Sequence, residues 1–230
     1  MAATKSPADA ALFIKSYLKN MPLEVIGPEL LDQVYKMVWL AAPWRWTLGS
    51  LPATTLTSTT QDYTITTPAD FLHIYDGFIA DGANVYRNLV IEPTLPTDVK
   101  VVGNPSRIAY QGSNTYRVFP KPGTLPSSPV QQMILRYKKI APVITNQTQY
   151  TAGFLVMDDE WFWVFCEGLL WKGYQWADDN RAGSITLAGG NAQYSGQAGV
   201  FRDALRLMAE HEKLPLIEPH DMVNPKQVNK

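Results

Sequence analysis

Cysteine is nearly absent from this chain. The 230 residues contain one, Cys166, so no disulfide can close within the chain and no cysteine-based metal knuckle can be built. It sits in the apolar run DEWFWVFCEGLLW, where a buried, inert thiol is expected. Histidine is scarce as well, with only His73, His211 and His220. The HEKLP stretch at 211–215 lacks the second histidine of a zinc-binding HExxH helix. No run approaches the 18 or so apolar residues of a membrane-spanning helix. The opening MAATKSPADAALF has no signal-peptide core, so a soluble protein made in a cytoplasm is expected. Charge of one sign is also lacking. Twenty basic against 21 acidic residues leave a net charge of −1, which gives no bulk basicity for wrapping nucleic acid. Neither a GxxxxGK[ST] phosphate loop nor a GxSxG nucleophile elbow occurs. The glycines of AGGNAQYSGQAG come without a lysine, and they read as a loop. No cofactor or metal is expected.

What the chain does have is aromatic. Seven tryptophans fall into two groups, Trp39, Trp44 and Trp46 near one helix end, and Trp161, Trp163, Trp171 and Trp176 on another helix. Residues two apart cannot share a helix face, so one of Trp161 and Trp163 should point away from the core. Large aromatics are enriched at protein interfaces. Trp39, Trp44, Trp46, Trp161, Trp163 and Trp171 are therefore subunit-interface candidates. A sugar-stacking platform built on Trp44 or Trp46 is the alternative, and it would make the chain a carbohydrate- or receptor-binding module. Paired carboxylates could serve a hydrolase. Asp158, Asp159 and Glu160 instead suit the first turn of a helix, where the dipole favours negative charge, and Asp178 and Asp179 suit a polar helix end. No enzymatic activity is expected. Arg136 and Lys138, with Arg117 and Lys121 on a partner strand, read as a solvated strand face.

Organisation follows from periodicity and punctuation. Ser6-Pro7-Ala8-Asp9 predicts a helix start, with Leu12, Phe13, Tyr17 and Leu18 near one face. A second helix is predicted from Pro28 until Pro43 stops it. Between about 48 and 150, threonine-rich and alternating segments predict short strands, with turns at Asp76-Gly77 and Asp81-Gly82. Helix returns at Asp158 and again over residues 200–213, with Phe201, Leu205 and Met208 on one stripe. RVFPKPGTLPSSPVQQMILRYKK holds four prolines, at 120, 122, 126 and 129, between two alternating runs. It is predicted to be a strand connection whose prolines limit stray pairing. The expected fold is α+β: a four-helix bundle from N- and C-terminal helix pairs (1–47 and 151–213), an inserted antiparallel β sandwich or barrel-like domain (48–150), and an extended C-terminal arm (214–230).

The succession VWLAAPWRW, YTITTPADFLHIYDGFI, GNPSRIAYQGSNTYRVFPKPG and MILRYKKIAP, closed by a D-x-W helix start, resembles the head-to-tail adaptor proteins of tailed bacteriophages, of the tail tubular protein A and tail accessory factor type. The resemblance covers roughly residues 8–212. It implies a virion neck protein forming a ring, usually of twelve copies, below the portal. Such a ring extends the DNA channel, retains packaged DNA and offers a platform to the tail tube or nozzle. Double-stranded DNA would pass through without sequence-specific binding, and no membrane is involved. The resemblance also implies a C-terminal arm that reaches the portal. Here that role falls to Leu214, Leu216, Ile217, His220, Met222 and Val223, which are too apolar for an idle tail. The loop Lys121, Pro122, Gly123, Thr124 and Leu125 is the tail-facing candidate.

Overall fold

Threonine, tyrosine and β-branched residues are frequent between residues 48 and 140, and this stretch folds as strands. The computed structural model describes residues 3–18, 27–81, 85–97, 100–126, 130–188 and 191–217. Two compact units emerge, one of residues 47–140 and one of residues 1–46 together with 141–230.

The first unit holds β1 (Leu48–Ser50), β2 (Thr54–Thr55), β3 (Asp62–Thr64), β4 (Phe71–Asp81), β5 (Val85–Ile91), β6 (Val102–Gly103), β7 (Arg107–Gly112), β8 (Thr115–Phe119), β9 (Lys121–Pro122) and β10 (Gln131–Lys139). Eight of these form one sheet in the order β1-β10-β4-β5-β7-β8-β3, with β2 also on β10. The sheet curls around a core of Ile79, Ile108, Tyr116, Val118, Met133 and Leu135, all at most 1% exposed. Alternation works as the sequence suggests on β3 and just beyond it, where Tyr63 and Ile65 are buried and Asp62 and Thr64 exposed. Asp76-Gly77, expected as a turn, lies mid-strand. Gly77 pairs with Leu135 on one side and Leu89 on the other, and a Cβ there would sit 2.7 Å from the Leu135 side chain.

The second unit holds α1 (Pro7–Lys15), α2 (Pro28–Ala41), α3 (Phe162–Trp176) and α4 (Gly196–Glu212), with a hairpin of β11 (Ile185–Ala188) and β12 (Asn191–Tyr194). Ser6 caps α1 in a full capping box with Asp9. Pro28 opens α2 at its first turn. Runs of consecutive buried residues, 164–166 and 168–171, make α3 apolar on several faces at once. Helices α1, α2 and α4 each pack on it.

The predicted fold class is overturned. Twelve strands stand against four α-helices among the described residues, and the eight-stranded sheet is one mixed half-barrel in place of an antiparallel sandwich. The cause is the connection after β5. It makes no hairpin. The described residues on the way to β7, 92–97 and 100–106, are held by Leu95, which is 5% exposed, and by the Gln61 amide donating to the Pro96 carbonyl at 3.1 Å. Strand β7 therefore returns parallel to β5, and β6 and β9 likewise pair in parallel. The helices do not form a four-helix bundle either. A bundle helix buries one stripe between two neighbours, whereas α3 is buried on several faces and serves as the shared centre for the other three. The expected glycine loop after Asp178 is in part the β11–β12 hairpin. Its base is closed at Gly183, where φ is +71° and a Cβ would come within 1.9 Å of the Ser195 carbonyl oxygen.

Glycine also sets the helix spacing. A Cβ on Gly168 of α3 would stand 2.6 Å from Val34 of α2 and 2.8 Å from the Phe201 ring of α4. A stiff β-branched side chain and a packed ring have little room to yield. Gly168→Ala is therefore expected to destabilise the protein by about 1–2 kcal/mol, even though alanine is the better helix former by about 1 kcal/mol. Urea denaturation measures it. A raised midpoint would show that the helices separate without cost.

Candidate functional site

Tyr35 lies at the centre of the first tryptophan group. Its ring is 5.7 Å from Trp39, 6.5 Å from Trp46 and 5.8 Å from Phe165. Its hydroxyl accepts from the Val156 backbone N–H at 3.3 Å, and burial pushes its pKa well above the usual phenol value. Trp44 is fully buried. It stacks on Trp46 at 6.3 Å and 9° between ring planes, and its Nε1–H donates to the Val38 carbonyl at 2.6 Å. An enclosed ring presents no face to a sugar.

The six interface candidates thus occupy different settings. Trp39, Trp44, Trp161 and Trp171 are buried within their own chain, and Trp46 is half-buried against the same core. Trp171 stacks on Phe201 at 5.8 Å, and Trp161 meets the His211 ring edge-on at 5.2 Å. Trp163, at 38%, is the one that keeps substantial exposure. Trp176, outside that set, is 62% exposed at the end of α3.

The carboxylates hold the fold together. Asp159 accepts from the Thr4 backbone N–H at 2.9 Å and from its hydroxyl at 2.5 Å, and these bonds hold it below the usual carboxylate range. Asp158 faces Arg45 at 3.6 Å, and Arg45 reaches Glu212 at the same distance. Asp179 is clamped by Arg181, which lowers its pKa to about 2. Among the described residues no group of three or more His, Cys, Asp or Glu is placed to hold a metal, and no helix is long and apolar enough to cross a membrane.

The expected basic strand face is not there as such. Arg117 donates from Nε and Nη2 to Asp62 at 2.7 and 2.8 Å, and Arg136 makes the same fork with Asp76. Lys138 is 6% exposed, with Nζ donating to the Thr47 hydroxyl at 2.6 Å, and burial lowers its pKa to about 8. Alternation in the sequence places it instead on the solvent side with Arg136. The pairing register shifts between Arg136 and Tyr137 and again between Lys138 and Lys139, and both Tyr137 and Lys138 are buried.

The proposed tail-facing loop is tied into its own unit. Lys121 and Pro122 form β9, Pro122 accepts from Thr59 N–H at 2.9 Å, and Gly123 N–H donates to Gly103 at 3.1 Å. Thr124 is exposed, while Leu125 is half-buried, its N–H donating to the Ser58 hydroxyl at 3.1 Å.

The start of the C-terminal segment lies along the helical unit. Lys213 ends α4 in the left-handed region, with φ +54°. Leu214 and Leu216 are half-buried against the helical core, and Ile217 N–H donates to the Ala41 carbonyl at 2.7 Å, at the C-terminal end of α2. That bond serves one of the carbonyls an α-helix leaves open at its end. His220, Met222 and Val223 lie outside the described residues.

Comparison with known proteins gives one finding. Residues 26–216 match the family described as SU10 adaptor protein, a span that takes in residues of both units and ends within the Leu214–Ile217 strap. None of the curated proteins compared matches the chain. The match supports the head-to-tail adaptor kind and does not extend to the narrower tail tubular protein A type. With most of its length inside that match, the chain belongs to the SU10 adaptor protein family and is a structural adaptor of bacteriophage.

Proposed function

We propose that this adaptor is a non-enzymatic component of the virion neck that joins the portal to the tail, extends the DNA channel and keeps packaged DNA from leaking. The observation that carries the reading is the family match over residues 26–216. In this reading about twelve copies form a ring. The C-terminal segment meets the portal, and the 121–125 loop side meets the tail tube or nozzle. Paired arginines on β8 and β10 agree with a wall that lets DNA slide, because fewer free cations mean less phosphate binding.

The structure sharpens the test. Residues 214–217 pack on the chain's own core, so cutting at 214 would damage the fold as well as the arm. Removal of residues 218–230 leaves the strap in place. This truncated chain is expected to keep its melting temperature and to lose at least tenfold in binding to isolated portal rings, read by native mass spectrometry. Full portal occupancy by the truncated chain would overturn the arm's role. Failure of the intact chain to bind any portal ring would overturn the adaptor-ring reading itself.

A further inference from the structure

Strand β4 outruns its partner. On one side it pairs with β10 from Phe71 to Asp81, but on the other it meets β5 only from Gly77 to Asp81. Past Leu89, β5 leaves β4 and pairs with β7 at Val90 and Ile91. The Glu92 N–H still donates to the Ile108 carbonyl at 2.9 Å, and Pro93 then ends the run, having no N–H to offer. Among the described residues, 71–76 are left with no strand on that side. A groove of about 320 Å³ opens there, lined by Leu72 and His73 of β4 together with Ile91, Pro93 and Tyr110. Leu72 is 46% exposed. Glu92 also lines the groove, with its carboxylate held by Arg107 at 3.2 Å. Burial holds the His73 pKa below the usual imidazole value, so the ring is uncharged at neutral pH. The groove therefore presents apolar side chains, an open backbone edge and no unpaired charge.

An open row of backbone N–H and C=O groups selects an extended chain, because a strand meets them at ladder spacing. The same molecule carries a strand of fitting chemistry. Hairpin β11–β12 is a sheet of two, so each of its strands has an outer edge without a strand partner. No charged residue and no proline stands between Arg181 and Arg202. Free edges are ordinarily protected by just such residues, so this one is unguarded. Ile185 and Tyr194 pack on the helical core and fix the base of the hairpin. The Ser184 N–H donates to the Ser195 hydroxyl at 2.9 Å, and the Ser195 N–H to the Ser184 carbonyl at 3.0 Å, which closes it. Leu187, further out, is 65% exposed. The strands that end the other sheets are shorter, β1 and β3 with three residues each and β6 and β9 with two, against four in β11. An uncharged strand with a protruding leucine matches an apolar groove without unpaired charge, and a charged one would be desolvated there at a cost.

We propose that β11 of one copy adds to the open edge of β4 in a second copy, with Leu187 entering the groove beside Leu72 and Ile91. Donor and acceptor are different surfaces, so each chain can give one contact and receive another, as a head-to-tail assembly requires. The contact names a seam between copies for the ring proposed above and rests on that reading. A four-residue strand buries far less than the roughly 1,200–2,000 Å² of a standard interface, so one contact alone is weak, with association expected at hundreds of micromolar chain. Chains gathered on one platform gain from effective concentration.

Cross-linking tests it on the full chain, both free at about 0.5 mM and bound to isolated portal rings. Leu187→Cys and Leu72→Cys chains are mixed and treated with a short bis-maleimide. The mixture should yield a linked product at twice 25.7 kDa, at least tenfold more of it than either variant alone, and the buried Cys166 does not compete. Single variants in a mixture can link only between chains. Leu187→Asp should weaken self-association at least tenfold in sedimentation equilibrium. Positions 72 and 187 are exposed, so melting temperatures should stay put and separate lost contact from lost folding. Absence of a 187-to-72 link in both settings overturns the proposal. So does a Leu72→Cys/Leu187→Cys double variant that links only within itself, or self-association indifferent to Leu187→Asp. Portal rings filled by chains that do not link would sink this contact alone. Linked chains that ignore portal rings would sink the portal reading and leave the contact standing.

Discussion

Trp44→Ala is expected to cost about 3–5 kcal/mol of stability, the range for truncating a buried large aromatic, and to lower the melting temperature by roughly 10 °C. The side chain is fully buried against Trp46, so alanine leaves a cavity that neighbouring rings can fill only in part. Its Nε1–H bond to Val38 goes with it, and the Val38 carbonyl is left without that donor in a buried place. Trp44→Phe should fall between, since it keeps much of the ring but not the donor. Trp176→Ala is the control. At 62% exposure it should change stability by less than about 0.5 kcal/mol. Guanidinium denaturation of the three variants decides it. A Trp44→Ala protein as stable as the parent would mean that the ring is dispensable to the core, which would return it to the surface roles first considered for it.

Lys138→Met is expected to stabilise the protein by about 1–3 kcal/mol at neutral pH. The sign follows from linkage. Burial lowers the folded-state pKa of Lys138 from 10.5 to about 8, so the unfolded chain holds the proton more tightly. Below pH 8 both states are charged and the folded state bears the whole desolvation cost. Between about 8 and 10.5 the folded state is neutral first, so stability contributed at this site rises with pH. Methionine removes the charge at similar length, and it gives up the bond to Thr47, which offsets part of the gain. The advantage of the variant should be largest below pH 8 and should shrink as pH climbs to 10.5. Urea titrations at pH 7, 9 and 10.5 would show it. An advantage that stays constant across that range would mean the lysine is neutral, or well solvated, in the folded protein throughout.

The same lysine shows where sequence reasoning stops. Alternation along β10 correctly separates Met133 and Leu135 from the exposed Arg136. It then puts Lys138 with Arg136, on the solvent side. The register shifts on either side of Tyr137 and Lys138 break that alternation, and a shift depends on how β4 pairs across from β10. Helix α1 offers a second case. Its start is fully legible, because Ser6, Pro7 and Asp9 act within one turn. Its inward face is not, because spacing groups Leu12, Phe13, Tyr17 and Leu18, of which only Leu18 is buried, and cannot say that α3 approaches too closely for the other three. The α4 stripe of Phe201, Leu205 and Met208 is read correctly, since nothing there competes with apolar burial.

By itself, then, the sequence determined the α1 cap, the strand-rich middle, the lone inert thiol and the ordered series of motifs that marks a phage adaptor. These depend on residues within a turn or a strand of one another, or on composition. Only the tertiary structure decided that β7 runs parallel to β5, that three helices share α3 in place of forming a bundle, that most of the tryptophans are spent on the core, and that α1 turns its large side chains outward. Each of those outcomes rests on which distant segment arrives as a neighbour and how closely, and glycines at 168 and 173 set that distance without leaving a pattern in the chain.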